Sequence, residues 1–336
     1  MTPVAPLGQT VHQFVIKIKR TAKKRSLFGP EDHVLVALSG GPDSTALVAA
    51  LSVLRQRGAL AGLSAVHVDH RLRPGGDAEA DACAGLCDRL DVPFRRRAID
   101  VAPGNVQAQA RRGRYAALRE VAAEVGATRI ATGHTRSDQA ETVLHRLLRG
   151  AGARGLAAIP PKRGCLVRPL IDCSRAEVRA FLDDQRLPSI EDPSNVSPRY
   201  TRNRIRAELL PVLARFNPSV EEALARAADL LREDDRALER LARREAGTLG
   251  WADAGRLRRL PAAVRRRAVR RLWKAITGSR AGLSALHVEA VLAVLAREGP
   301  GRVSLPGGLE ARVAHGRVWM ARQPEKVVAR RRGRDP

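Results

Sequence analysis

Residues 33–45 read His-Val-Leu-Val-Ala-Leu-Ser-Gly-Gly-Pro-Asp-Ser-Thr. The apolar run 33–38 (HVLVAL) has the composition of a strand. It passes without a break into Ser39-Gly40-Gly41-Pro42-Asp43-Ser44, after which Ser44, Leu47, Val48 and Leu51 recur near the 3.6 spacing of a helix that starts near Asp43. A strand led through paired glycines into a helix opens a βαβ unit. The glycines let the chain turn sharply and point its N–H groups at an anion beside the helix N-terminus. Ser39, Ser44 and Thr45 add hydroxyl donors. Asp43 is a carboxylate in a place otherwise built for anions, which is best explained by Mg²⁺ held between it and phosphate. A bare Gly-Gly pair would fit an ordinary Asp-capped turn equally well; six residues in this strand-turn-helix setting favour the phosphate cradle. The turn holds no lysine, so it is not the GxxxxGK[ST] type.

Working outward, short β-branched runs alternate with longer helical patterns through the first half. Strands are predicted at 63–69, 93–99 and 128–133, and helices near 77–90, 106–125 and 137–149. This is the pattern of a parallel α/β sheet. After Gly150 the pattern loosens. Ser174 then reads as the N-cap of a helix through about Gln185, 188–198 as a proline-bearing loop, and 200–215 as a basic helix. Residues 219–246 form one long charged amphipathic pattern, suited to a connector. Beyond it, helices are predicted near 261–276 and 284–297, followed by a β-like segment with turns at Pro306-Gly307-Gly308 and His315-Gly316. The expected domains are 1–216, the connector 217–249, a smaller, mostly helical domain 250–322, and a basic, disordered tail 323–336.

Composition narrows the class. The 336 residues suit two domains, and 44% hydrophobic with 3% aromatic residues implies a core of Leu, Val and Ala. Sixty Lys and Arg against thirty-five Asp and Glu give +25, nearly all of it arginine, whose fork matches phosphate oxygens. A coding bias toward Arg and Ala accounts for part of this excess; the remainder favours a nucleic-acid partner. Cysteines 83, 87, 165 and 173 lack two-residue metal spacing and read as small buried residues of a reducing compartment. No apolar run nears the roughly 20 residues of a membrane span, and the N-terminus has no signal-peptide core. The expected location is the cytoplasm.

Further segments carry candidate chemistry. His67-Val68-Asp69-His70-Arg71-Leu72-Arg73 ends the second strand at the sheet's carboxyl edge, where open α/β folds bind ligands. Arg111 and Arg114, in ARRGRY, share a helix face. Gly133-His134-Thr135-Arg136-Ser137-Asp138-Gln139-Ala140-Glu141-Thr142 follows the fourth strand, with Asp138 and Glu141 on one helix face near its positive end. A plain helix start capped by Ser137 would explain the same residues, and a solvated basic face or a capped turn would explain the other two.

The order SGGPDS, HVDHRLR, ARxxRY, GHTxxDxxET, LLRGAGxxGL, RPL and YxRNRIR resembles the tRNA(Ile)-lysidine synthetases, within the PP-loop or N-type ATP pyrophosphatases. The likeness runs from about 33 to 216 and continues more weakly through LSALHVEAVL and LPGGLEARV. Relative to longer members, the chain is expected to lack a second C-terminal domain. The resemblance implies an adenine nucleotide alpha hydrolase-like sheet, ATP with Mg²⁺, free L-lysine, and the CAU-anticodon isoleucine tRNA as partner of the 250–322 domain. It implies that ATP adenylates O2 of the wobble cytosine and that the lysine ε-amine then displaces AMP at C2, giving lysidine.

On that footing Ser39, Gly40, Gly41, Pro42, Asp43, Ser44, Thr45, His67 and Asp69 are expected around ATP, with Asp43 holding Mg²⁺. His134 is expected to stabilise α-phosphate charge or shuttle a proton, and Asp138 and Glu141 to bind lysine. Arg111, Arg114, Arg149, Arg202, Asn203 and Arg206 are expected against tRNA or phosphates, beside Arg199 and Arg204. The alternatives are a PP-loop tRNA thiolase, which normally carries cysteine pairs, and a non-catalytic RNA-binding protein, against which the intact Asp43 and Ser44 argue. GMP and argininosuccinate synthetases share the turn but not the other segments. Whether the chain forms a homodimer stays open at this level.

Overall fold

Alternation within a five-residue strand sets the layers. In β1 (His33–Ala37), Val34 and Val36 pack into one core while Leu35 packs into another on the opposite face. A strand apolar on both sides belongs in the middle of a covered sheet. The computed structural model describes residues 9–70, 76–100, 106–190, 200–245, 250–279 and 281–323. Arg71, Leu72, Arg73, most of the proline loop, Arg199 and the tail beyond 323 lie outside them.

The chain divides into two units, residues 1–231 and 232–336. In the first, β1 lies between β2 (Gly62–Asp69) and β4 (Arg129–Ala131), both parallel to it. The order is completed by β3 (Phe94–Ala98) beyond β2, and by β6 (Leu166–Val167) and the short antiparallel β5 (Lys162–Arg163) beyond β4. One face is covered by α1 (Gln9–Arg25), α2 (Pro42–Gln56), α3 (Gly76–Arg89) and α7 (Arg175–Asp184), through Val15, Ile18, Leu47, Leu51, Leu86 and Phe181. Leu118 and Val121 of α4 (Val106–Glu124) cover the other. The fold is the predicted parallel α/β sheet, with one helix added: the sequence reading assigned nothing to 9–25.

The chain runs outward from β1 to β2 and β3, then crosses to β4 on β1's other side. The carboxyl ends of β1 and β4 therefore flank a point where the winding direction changes, the position at which such sheets open a ligand crevice.

The basic helix predicted at 200–215 is broken into α8 (Thr201–Arg204), one π-helical turn at Ile205–Leu209 and α9 (Leu210–Phe216). Pro211 supplies the reason: it has no N–H to return to Ala207, and Leu210 N–H bonds five residues back to Ile205 O.

A helix, α10 (Val220–Glu245), spans the point of division. Within the second unit, β7 (Trp251–Asp253), β8 (Gly301–Leu305), β9 (Leu309–Ala314) and β10 (Arg317–Arg322) form an antiparallel sheet in the order β7-β10-β9-β8. The short α11 (Ala254–Arg258) joins α12 (Ala262–Thr277) and α13 (Ala285–Ala296) in closing its core with Leu272, Val291 and Leu295 against Val313 and Val318. Helical residues outnumber strand residues; the expected β-like segment holds three strands, β8–β10, and β7 from the start of the domain completes the sheet. His315 and Gly316 both take positive φ, 49° and 70°, making the two-residue turn that returns β9 into β10.

Candidate active site

The turn after β1 is shaped by two glycines and tied by hydroxyls. Gly40 has φ +77°, and a Cβ there would stand 2.9 Å from Ile190 Cδ1. Ile190 N–H donates to Gly40 O at 2.9 Å, so the chain segment at 190 straps the turn. Gly41 caps α2, with Pro42 at its first position, where a missing N–H does no harm. Ser44 Oγ accepts from Ser39 N–H at 3.2 Å and donates to Gly41 O at 3.0 Å, and Thr45 Oγ1 donates to Gly40 O. These bonds hold the turn open at the head of a helix whose first-turn N–H groups have no helical acceptors.

A second turn, after β4, is pressed against the first. A Cβ on Gly133 would fall 3.0–3.1 Å from the Asp43 carbonyl and Ser44 N. His134 Nδ1 lies 2.9 Å from Thr132 Oγ1. Burial pushes the His134 pKa down to about 4; Asp138 opposes this and Arg168, Arg202 and Arg114 reinforce it, so the ring is neutral at pH 7. The helix that follows, α5 (Arg136–Leu147), is capped by Thr135, not Ser137: Thr135 Oγ1 accepts from Asp138 N–H while Asp138 Oδ2 accepts from Thr135 N–H at 2.9 Å. The Thr-x-x-Asp spacing is a capping box visible in the sequence. Ser137 instead donates to Glu221.

Asp138 and Glu141 share a face, and three arginines converge on it. Arg175 donates to Asp138 Oδ1 at 2.6 Å and to Glu141 Oε1 at 2.5 Å; Arg202 reaches the same pair at 3.1 and 2.8 Å; Arg206 Nε donates to Glu141 at 2.7 Å. Burial would raise both carboxyl pKa values. The guanidiniums outweigh it, and both lie below the usual range.

Asp43 has the opposite environment. Burial, and then the charge of Asp138, push it up to about 6 against the pull of Arg175 and Arg206. Its carboxylate has no hydrogen bond or ion pair with a described residue. A half-buried carboxylate without an ion-pair partner suits Mg²⁺. No group of three His, Cys, Asp or Glu able to hold a metal occurs among the described residues.

One cavity, about 800 Å³, collects Ser39, Gly41, Asp43, Ser44, His67, Asp69, Arg114, His134, Asp138 and Arg202. His67 lies 3.1 Å from Leu38 O, through Nδ1. Gly40, Pro42 and Thr45 shape the turn from behind. Glu141 is sealed beneath its arginines with 0% exposure, so it reaches the cavity through them and Asp138. Arg111 and Arg114 lie over the Tyr115 ring, at 5.3 and 5.6 Å. Arg149 is exposed past the end of α5, away from the cavity lining, and Asn203 is half-buried in α8. Arg175 was missed by the sequence reading; only its place directly after the Ser174 cap marked it.

Residues 10–213 match the PP-loop domain model, and 253–319 match the TilS substrate binding domain. A tRNA(Ile)-lysidine synthase of Symbiobacterium thermophilum is 39% identical over 94% of this chain and 69% of its own length. One of Thermobifida fusca is 40% identical over 90% and 96% respectively. The chain belongs to the tRNA(Ile)-lysidine synthase family. This lysidine synthase-family chain also shares its fold with the U34-tRNA thiolase NcsA of Methanococcus maripaludis, a structure with a [4Fe-4S] cluster, at TM-score 0.56 and 18% identity over 66% of this chain and 80% of that one. Membership of the PP-loop family implies that this lysidine synthase-family chain uses ATP.

Proposed function

We propose that the chain joins L-lysine to C2 of the wobble cytidine in the CAU-anticodon isoleucine tRNA, in two steps driven by ATP. The observation that carries this reading is the shared cavity: a glycine-rich turn with an unpartnered Asp43, a neutral His134 and Asp138, clamped by arginines together with the sealed Glu141, line one space, in a chain matching both family domains.

In the first step O2 of the cytosine attacks the α-phosphorus and pyrophosphate leaves. The α2 N-terminus with the Ser39 and Ser44 hydroxyls takes the developing charge of the leaving group. Mg²⁺ held by Asp43 would supply charge neutralisation across the phosphates. Arg114 adds a fixed cation at the cavity wall. In the second step the ε-amine forms the C–N bond at C2 while the C–O bond to AMP breaks. The amine must first shed a proton, for which the carboxylates lining the cavity are the acceptors, while His134, neutral with its pKa pushed down to about 4 and pinned through Nδ1 by Thr132, suits a hydrogen bond to the α-phosphate.

Asp138 and Glu141 are the carboxylates for the lysine ammonium, and their oxygens already serve guanidiniums. Lysine therefore enters by exchange. Arg202, 44% exposed and lining the cavity, is the cation placed to give way, while Arg175 keeps the pair ionised. Arg111, Arg149 and Asn203 serve the tRNA or its phosphates, whereas Arg206 is held on Glu141. A thiolase reading is weaker, because burial raises the Cys83, Cys87 and Cys173 thiols to about 11, 12 and 12, out of the nucleophilic range at neutral pH.

The test is nucleoside mass spectrometry of the isoleucine tRNA after incubation with ATP and lysine. The expected product is lysidine in place of the wobble cytidine, with one AMP and one diphosphate released for each. Unmodified cytidine overturns the proposal.

A further inference from the structure

Aromatic residues make up 3% of the chain, and three of them are tryptophans. Trp273 is a core residue, buried, with its indole N–H donating to Ala281 O at 2.8 Å. Trp251 and Trp319 differ. They face each other across the β7–β10 ladder as direct register partners, both half-exposed, and neither indole N–H has a hydrogen-bond partner among the described residues. Both line a cavity of about 920 Å³, together with Leu272, Ile276, His315 and Arg317. That volume lies inside the roughly 300–1,000 Å³ of small-ligand sites.

The chemistry of the rim is specific. The Arg317 guanidinium lies over the Trp251 ring, 4.3 Å from its centroid, and has no ion pair with a described residue. Its cross-strand neighbour Asp253 is committed elsewhere, accepting Arg256 N–H at 2.6 Å as the cap of α11. From 251 to 322 fifteen Lys and Arg stand against four Asp and Glu, so the occupant is anionic. A Trp pair serving sheet stability alone would be covered by its own side chains and would need neither an open cavity nor a free guanidinium. Planar aromatic faces beside a free cation in a basic unit match a nucleobase joined to its phosphate.

We propose that Trp251, Trp319 and Arg317 form a stacking site for one unpaired nucleobase of the tRNA. The base lies on the Trp251 face now covered by Arg317, Trp319 walls the cavity, and the displaced guanidinium pairs with the adjoining phosphate. Base–indole stacking is stronger than an exposed cation–π contact, so the exchange is favourable. The inference rests on the reading of tRNA as substrate and names where an unpaired base is held.

The test titrates the full chain with the isoleucine tRNA and, separately, with an unstructured ribo-oligonucleotide, following binding and tryptophan fluorescence. Wild-type fluorescence is expected to fall on binding. Trp251→Leu, which keeps apolar volume without a π face, is expected to weaken tRNA binding roughly tenfold and remove most of the quench. Trp251→Phe should recover most of the affinity, and Arg317→Gln should weaken binding while lowering its salt dependence. Wild-type affinity in Trp251→Leu and Arg317→Gln, or a loss that Phe does not rescue and that tracks a lowered melting temperature, overturns the site. Lysidine formation is scored separately: a wild-type chain that makes none yet shows the quench and its Trp251 dependence sinks the catalytic reading and leaves the stacking site standing.

Discussion

Asp43 is ionised at neutral pH against its surroundings. A carboxylate whose pKa rises on folding, here from 3.8 to about 6, destabilises the folded state once pH exceeds the unfolded value, and the penalty is complete above the folded one. At roughly 1.4 kcal/mol per pKa unit, Asp43→Asn is expected to stabilise the ligand-free protein by up to about 3 kcal/mol at pH 7 while abolishing pyrophosphate release. Thermal melts with a turnover assay check both; a melting temperature below wild type contradicts the account. Glu141 works the other way. Its pKa is lowered, so its contribution is present above the unfolded value and lost as pH falls through the folded one. Glu141→Ala leaves guanidiniums crowded without their anion, an expected loss of about 3 kcal/mol, the low end because Arg202 reaches solvent. Denaturant titrations between pH 7 and 3 should show the acid limb flattened in that variant. The three-residue spacing made Asp138 and Glu141 legible as neighbours. Arg175 was not legible, because 34 and 37 residues separate it from the groups it binds and only the fold closes that distance.

At the scale of elements, the site depends on two turns in contact. Gly133→Ala puts a methyl group against the Asp43 carbonyl and is expected to force the turns apart, cutting ATP turnover at least about tenfold, with a smaller effect on the melting temperature. Steady-state kinetics with ATP varied would show it. The π-helical turn makes a second case. Pro211→Ala restores the N–H that an unbroken helix needs and is expected to wind 205–209 into α geometry. Arg206 would then rotate off Glu141, so turnover and the melting temperature should both fall. Sequence periodicity located α2, α5 and α10 well, since their ends coincide with glycines, caps and charge patterns. It overlooked α1, although Val11, Phe14, Val15, Ile18 and Ala22 recur at helical spacing, because the basic residues among them dilute the apolar signal. It also drew 200–215 as one basic helix, across Pro211.

For the molecule as a whole, the +25 charge sets how it meets RNA. Each phosphate neutralised by Lys or Arg releases counterion, so tRNA affinity is expected to fall linearly in log–log form with salt. The loss should be roughly a thousandfold between 50 and 200 mM if some six phosphates are engaged. A flat dependence in filter binding would mean the arginine excess is compositional. That excess was plain from composition; its local use was not, since Arg175, Arg202 and Arg206 are turned inward onto carboxylates and are not spread for RNA.

That inward turn couples the small substrate to the large one. If lysine displaces Arg202 from Asp138 and Glu141, the freed guanidinium becomes a phosphate ligand, and the energy of one binding event appears in the other. Reciprocity then demands a single number: the factor by which tRNA tightens lysine equals the factor by which lysine tightens tRNA. Two titrations measure it independently, and Arg202→Ala should reduce both factors toward one.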